Sequence, residues 1–407
     1  MVRQLSERLA QRGHEVTVAT TRLPERSERC INGVRIEEFE ISGNAVNGIR
    51  GEAERYQQFL MEGQFDLMMN YAAQEWTMDL AFPVLERIPY RKVMIPCGFS
   101  GLYDPAYREY FLQMPEYMRR YDHLVFHASD YRDINLARQH NLSHYSILPN
   151  GASQAEFEEV DDTFRRRYGI PEEDVLLLTV GSHTGQKGHR LSMEAFQRLK
   201  KKNATLIIIG NIFHHTNFWD LFLLPLLHHI RYLRLTEAIR LIGRSLLGGV
   251  QPGCLPECRI RSSWINLRGF GRKRVLLLDP PRKDVVAAYH AADLFIFASN
   301  IEYSPLVLFE GLASRTPFVS LACGNAAEIA GWSKGGMIAP TTQQNDGNVS
   351  GDPDQFARAI ESLLDNEKQR MELGQSGYLS WLERFTWEQI AVEYENLYQR
   401  LITQQSA

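Results

Sequence analysis

Cysteine is scarce in this chain. Cys30, Cys97, Cys254, Cys258 and Cys323 are an odd set of five in 407 residues. That is too few for a disulfide framework, and a reducing cytosol is the expected setting. Long apolar runs are lacking as well, since none reaches the roughly 18 residues of a membrane span. The opening residues, MVRQLSERLAQRGHEV, hold no apolar stretch of the signal-peptide kind, so no secretory leader is read in them. Positive charge is not in excess: 45 Lys+Arg against 49 Asp+Glu give a net charge of −4. That excludes a bulk nucleic-acid binder, which carries a basic domain. Low-complexity tracts and short tandem repeats are missing too. A content of 44% hydrophobic and 11% aromatic residues excludes disorder and implies a large core.

What is present is alternation. EVTVAT (15–20), FDLMMN (65–70), KVMIP (92–96), HLVFHAS (123–129) and HYSIL (144–148) read as strands, with helical stretches at 73–87, 105–120 and 130–140. Pro149-Asn150-Gly151 and the charged segment behind it punctuate the pattern. It restarts with strands at 174–180, 205–210, 274–279, 293–299 and 317–322, and helices at 187–202, 282–292 and 305–314. Helical patterns fill 353–403. Strands alternating with helices build parallel sheets, so the reading is two successive α/β domains. Their expected limits are 1–152 and 153–385, with a last helix, 386–407, returning to the first domain.

Two stretches break the alternation. The chain opens in a helix, with Val2, Leu5 and Leu9 at helical spacing and Gly13 as its C′ residue. A doubly wound domain begins with a strand and a Gly-rich turn, and neither is here. The expectation is that the sequence starts inside a longer polypeptide whose first strand lies upstream. The second break is 211–272.

Two loops carry chemistry. In Glu302-Tyr-Ser-Pro-Leu-Val-Leu-Phe-Glu310, Glu302 lies just past a strand's carboxyl end, where open α/β sheets bind ligands. Ser304 suits an N-cap and Pro305 a first helical position. The free N–H groups of such a helix start attract an anion. Glu310 lies further along the same helix. Two carboxylates for hydroxyls beside donors for a phosphate suit a nucleotide sugar, although an ordinary cap with two solvated glutamates fits the same letters. The second loop, Val180-Gly-Ser-His-Thr-Gly-Gln-Lys-Gly-His189, is not a GxxxxGK[ST] phosphate loop, because Gln186 precedes the lysine and Gly188 follows it. Lys187 could still hold a diphosphate as a point charge, or stay solvated in a flexible loop.

Together these segments resemble the retaining glycosyltransferases of family 4, which have the GT-B fold. RQLSERLAQRGHEVTVAT, SILPNGASQAEF, LLTVGSHTGQKGHRLSMEAF, VVAAYHAADLFIFASNIEYSPLVLFEGLASRTPFV and Cys323-Gly-Asn-Ala-Ala-Glu328 carry the resemblance across nearly the whole chain. The fold it implies is α/β: two Rossmann-like domains facing a central cleft, the first without its first strand. The activity it implies is that of a hexosyltransferase. It would move a sugar from a nucleotide diphosphate to a glycan or lipid-linked acceptor, with retention. Lys187, Glu302 and Glu310 are the expected catalytic residues: Lys187 on the diphosphate, Glu310 on the ribose, Glu302 on the donor sugar. Substrate contacts are expected from Gly181, Ser182, His183, Gly210, Ser304, Asn150, Cys97 and the backbone of Leu306 and Val307. No metal or other cofactor is expected, because protein groups supply the positive charge. The chain departs from the family pattern at three places: Ser182 where an Arg is usual, Cys97 near the place of a usual His, and Tyr303-Ser304-Pro305 in place of Gly-Phe-Gly. A non-catalytic relative serving as scaffold, and a GT-B sugar-nucleotide epimerase, are the alternatives.

The segment 211–272 holds eight arginines against Asp220, Glu237 and Glu257, a local net charge of +5. Trp219, Phe222, Leu223, Leu226, Ile230 and Leu233 recur at helical spacing. A basic amphipathic helix fits an anionic membrane surface, so a peripheral inner-membrane contact through 213–245 is one expectation. A helical hairpin packed on the second domain is the other. Cys254 and Cys258 form a C-x3-C pair without a second ligand pair following it, and read as two loop thiols. His214-His215 and His228-His229 point to different helix faces and chelate poorly. The Asp352-Pro-Asp354 triplet reads as turn chemistry and not as a metal-binding D-x-D.

Overall fold

Continuous apolar runs dictate the second half of the molecule. A computed structural model describes residues 1–212, 253–269 and 272–404. In it, Val175–Val180 (β7), Ala204–Ile209 (β8), Lys273–Leu278 (β9), Leu294–Phe297 (β10), Phe318–Ser320 (β11) and Gly336–Ile338 (β12) form one six-stranded parallel sheet. The spatial order is β9-β8-β7-β10-β11-β12, the doubly wound arrangement with its switch point between β7 and β10. Every residue of β8 and β10 is buried, as a strand covered by helices on both faces requires. Helices His189–Arg198 (α5), Leu255–Gly269 (α6), Arg282–Ala291 (α7), Leu306–Ala313 (α8), Ala326–Ser333 (α9), Pro353–Leu364 (α10) and Glu367–Ser380 (α11) belong to this half. Apolar clusters flank the sheet: Leu206, Phe196 and Ile360 lie in one, Phe295, Phe309 and Trp381 in the other.

The first half is less regular. Leu67–Tyr71 (β3), Arg91–Ile95 (β4), His123–Phe126 (β5) and Tyr145–Ile147 (β6) form a four-stranded parallel sheet in that order. Val16–Thr21 (β1) and Val34–Phe39 (β2) pair in parallel in a separate small sheet, with Cys30–Ile31 at its edge. Among the described residues no strand joins the two sheets. Thr21 and Trp76 link them through an Nε1–H to Oγ1 hydrogen bond of 3.0 Å. The helices are Val2–Gln11 (α1), Ala53–Glu62 (α2), Arg108–Arg119 (α3) and Arg132–Gln139 (α4). The helix expected over 73–87 is instead a single turn, Trp76–Asp79, followed by the 3-10 segment Phe82–Arg87. Pro83 is the cause: it has no N–H to bond back, and its ring clashes with the preceding turn.

The final helix, Trp387–Thr403 (α12), lies on the first half. Trp387, Ile390, Tyr394 and Leu397 pack with Leu5, Leu9, Val93, Ile95 and Val125. The chain therefore crosses between the halves twice, and the crossings run side by side. Ala152 bridges Thr386, its N–H donates to Phe385 O at 3.0 Å, and its own carbonyl accepts from Trp387 N–H at 3.2 Å. Gly151 makes that approach possible, because a Cβ there would lie 2.2 Å from the Phe385 carbonyl oxygen. No helix among the described residues is long and apolar enough to cross a membrane. The expectations placed on 213–245, including the apolar helical stripe and both histidine pairs, lie outside the described residues.

Candidate active site

Gly181 to Gly188 leave the carboxyl end of β7, and α5 begins at His189. Two backbone demands shape the turn. Gly188 has φ +67°, and a Cβ on it would stand 1.8 Å from Ala298 O. Only glycine combines that conformation with that approach. Gln186 O then accepts from Asn300 N–H at 2.8 Å and from the Ser299 hydroxyl at 3.1 Å, which clamps the loop to the end of β10. Lys187 runs over Gly181, whose missing Cβ leaves the space, and its ammonium pairs with the Glu302 carboxylate. Both side chains keep about a quarter of their surface in solvent (27% and 20%), so the pair stands at an open wall.

Four residues on, α8 starts without a side-chain cap. Pro305, not Ser304, occupies the N-cap, so the helix begins one residue later than the Ser-Pro pair suggested. The Ser304 hydroxyl is buried and has no partner among the described residues. The first N–H groups of α8 therefore receive nothing from a side chain, and the dipole end stays available to an anion. Glu310, one turn along, is held by Arg282 Nη2 at 2.7 Å, and the same nitrogen holds Glu156 at 2.7 Å. Burial alone would lower the Arg282 pKa, but these two carboxylates outweigh it and raise it. Arg282 is the residue that motif reading missed. It opens α7 twenty-eight positions before Glu310, with no local spacing to betray the pair.

The opposite wall comes from the first half, and Tyr303 makes the join. Its hydroxyl oxygen accepts from His127 N–H at 2.8 Å, and burial beside the Asp133 carboxylate holds its pKa well above the usual value. Its ring lies 5.0 Å from that of Tyr131 and against Gly98, where a Cβ would be 2.7 Å away. Asp133 is fully buried and accepts from Gly98 N–H at 2.9 Å. Burial pushes its pKa up to about 6 against its hydrogen bonds. His127 donates from Nδ1 to the Leu148 carbonyl at 2.7 Å, which leaves Nε2 unprotonated. Burial drives its pKa down to about 4. Glu328, at the start of α9, accepts from Ser129 N–H at 2.8 Å and Asp130 N–H at 3.1 Å. Asn325 Nδ2 donates to His127 O at 2.8 Å.

The other expected contact residues are scattered around this join. Asn150 is buried and donates to Ser304 O at 3.1 Å, so it ties the interdomain segment to the start of α8. Cys97 follows β4 with φ +62°, its thiol 3.3 Å from the Tyr71 hydroxyl and its pKa raised by burial. Gly210 follows β8, and a Cβ on it would lie 2.3 Å from Gly181 O. Ser182 accepts from Thr184 N–H at 2.8 Å. His183 is buried, with Nδ1 facing His189 Nδ1 at 3.2 Å and the Cys254 thiol at 3.6 Å. Asp352 spends its carboxylate capping α10, accepting from Asp354 and Gln355 N–H at 3.0 and 2.9 Å.

Known proteins match this layout at two levels. In sequence, the family model of the glycosyl transferases group 1 matches residues 263–380. A D-inositol 3-phosphate glycosyltransferase of Corynebacterium aurimucosum is 30% identical over 133 residues, 32% of this chain and 29% of that protein. The chain thus matches less than a third of the length of this curated relative. In structure, the sucrose-phosphate synthase of Thermosynechococcus elongatus superposes with a TM-score of 0.71 at 17% identity, over 99% of this chain and 92% of that one. HepE of Anabaena, in complex with UDP and glucose, gives 0.66 at 12% identity over 98% and 95%. The second half, from the middle of α6 to the end of α11, therefore matches the glycosyl transferases group 1, and the chain as a whole has the GT-B fold.

Proposed function

We propose that this chain is a family 4 glycosyltransferase that transfers a hexose from a nucleotide diphosphate to a glycan or lipid-linked acceptor, with retention. One observation carries the reading: Lys187, Glu302 and the uncapped start of α8 meet at the carboxyl edge of the second sheet, opposite the first half. Lys187 would leave Glu302 for the diphosphate as the donor enters, and Glu302 would turn to the sugar hydroxyls. The N–H groups of Leu306 and Val307 would add donors to the departing phosphate. Such fixed charges and dipoles stabilise a leaving group without reorganising. Arg282 holds the Glu310 carboxylate in place, so Glu310 would meet the ribose hydroxyls already oriented. The positive charge for the transfer step would then come from the protein, and added Mg²⁺ or Mn²⁺ should leave the rate unchanged.

Nucleotide release with UDP-, GDP- and ADP-sugars tests the reading. Turnover should appear with one donor class, and Lys187→Ala or Glu310→Ala should lower it by about 10²-fold or more, the size of a lost charge contact in the transition state. Turnover surviving both substitutions refutes these roles. One observation favours a non-catalytic scaffold as the second reading: Glu302 and Glu310 are each already neutralised by a cation. Absence of both turnover and nucleotide binding would select it. A membrane contact through 213–245 remains part of the proposal. Equal co-sedimentation of the full chain and a 213–245 deletion with anionic vesicles would remove it.

A further inference from the structure

The buried histidines beside Lys187 belong to a second constellation. His183 and His189 flank the loop, and their Nδ1 atoms stand 3.2 Å apart. Cys254 Sγ lies 3.6 Å from each of them, and Cys258 Sγ lies 3.6 Å from Cys254 Sγ. All four donor atoms lie within 4.8 Å of one another, and three of the four residues are buried. A zinc ion with bonds of about 2.3 Å to sulfur and about 2.1 Å to nitrogen gives tetrahedral edges of about 3.8 Å for S–S, about 3.6 Å for S–N and about 3.4 Å for N–N. The four separations given above lie within about 0.2 Å of those edges, and the two from Cys258 to the histidines stay within 4.8 Å.

The backbone is built to hold the cluster. Cys254 precedes α6 and Cys258 lies one turn later, so both thiols leave the same face. Cys254 N–H donates to His183 O at 2.8 Å, and a Cβ on Gly253 would come within 1.6 Å of that oxygen. The Nδ1 atoms of both histidines face each other and the Cys254 thiol, while both Nε2 atoms are buried without a partner among the described residues. The second ligand pair that C-x3-C lacks downstream thus stands upstream, in a different loop.

We propose that His183, His189, Cys254 and Cys258 hold one Zn²⁺ in a closed, structural site. Binding would release the two thiol protons to solvent and leave two thiolates and two neutral imidazoles around the ion, a site of zero net charge. Four protein ligands leave no position for a substrate. The ion would staple the start of α6 to the loop that presents Lys187, and so fix where that lysine stands. The site does not depend on the glycosyltransferase reading, and its test reads metal, not turnover.

The test is the metal content of the full chain, purified under reducing conditions from zinc-supplemented medium. About one zinc per chain is expected, falling below about a tenth in Cys254→Ser/Cys258→Ser. Cobalt substitution should give the intense visible bands of a tetrahedral ion together with sulfur-to-cobalt charge transfer. Should the double variant fail to fold, His183→Cys keeps a zinc-binding set and should retain the ion with stronger charge transfer. A folded wild type without zinc, or zinc without the cobalt–thiolate band, overturns the proposal. So does zinc that persists in the folded double variant.

Discussion

At the scale of single residues, backbone geometry and burial set the terms. Gly188 is the narrowest point, with a left-handed backbone and no room for a methyl group. Gly188→Ala should destabilise the chain by about 2–4 kcal/mol, combining strain with the displaced Ala298 carbonyl. Denaturant unfolding measures the loss, and nucleotide affinity should fall with it. Asp133 gives a pH signature. Its pKa is raised to about 6 in the fold from an ordinary 3.8, so the folded form binds more protons between those values. Its contribution is fully present below pH about 4 and is lost as the pH rises through about 6. The difference amounts to at most about 3 kcal/mol. His127, held down near 4, acts in the opposite sense, because its neutral form favours the fold and protonation removes that. Comparison with Asp133→Asn isolates the carboxylate: the variant should lack the part of the stability gain that wild type shows between pH 7 and 4.5. Identical pH profiles would show that Asp133 is not the titrating group.

At the scale of elements, what the sequence disclosed depended on whether the cause was local. DVLLLTV, TLIIIG and DLFIFAS are legible as strands because both faces are buried and nothing interrupts them. VRIEEF hides β2, since its polar residues suit a small half-exposed sheet, and three-residue β12 is too short to show a period. The Glu302-to-Glu310 segment announces a site because strand end, turn and helix start follow one another in the chain. Arg282, Asp133 and the His183–Cys254 cluster could not be read that way, because their partners meet only after the sheet has formed. The same limit applies to α9, whose first turn supplies the Glu328 bridge to the 127–131 loop. Glu328→Ala removes two acceptors there, so amide exchange at Ser129 and Asp130 should quicken by about tenfold or more, the equivalent of one lost hydrogen bond. Unchanged exchange would mean that Tyr303 and Asn325 hold the join alone.

At the scale of the whole molecule, the chain passes between the two halves in two adjacent crossings. Ala152 and Thr386 run side by side there, and any opening of the cleft must twist both crossings. Gly151→Ala would drive a methyl group against Phe385 O, so it should shift the halves apart and alter the radius of gyration in solution scattering, while β7–β12 stay protected from exchange. Shortening the chain after Phe385 should do the reverse. The second sheet would keep its core, but Leu5, Val93, Ile95 and Val125 would lose the face that α12 covers, and the shortened chain should associate or precipitate.

That shared face also fixes an order of events during synthesis. Residues 1–150 leave the ribosome before residues 387–403 exist, and at about 5–20 residues per second the interval is on the order of ten to fifty seconds. Through that interval the first half has an apolar flank with nothing of its own to close it. The half made first is therefore closed only when residues 387–403 emerge, and until then its apolar flank is open to association.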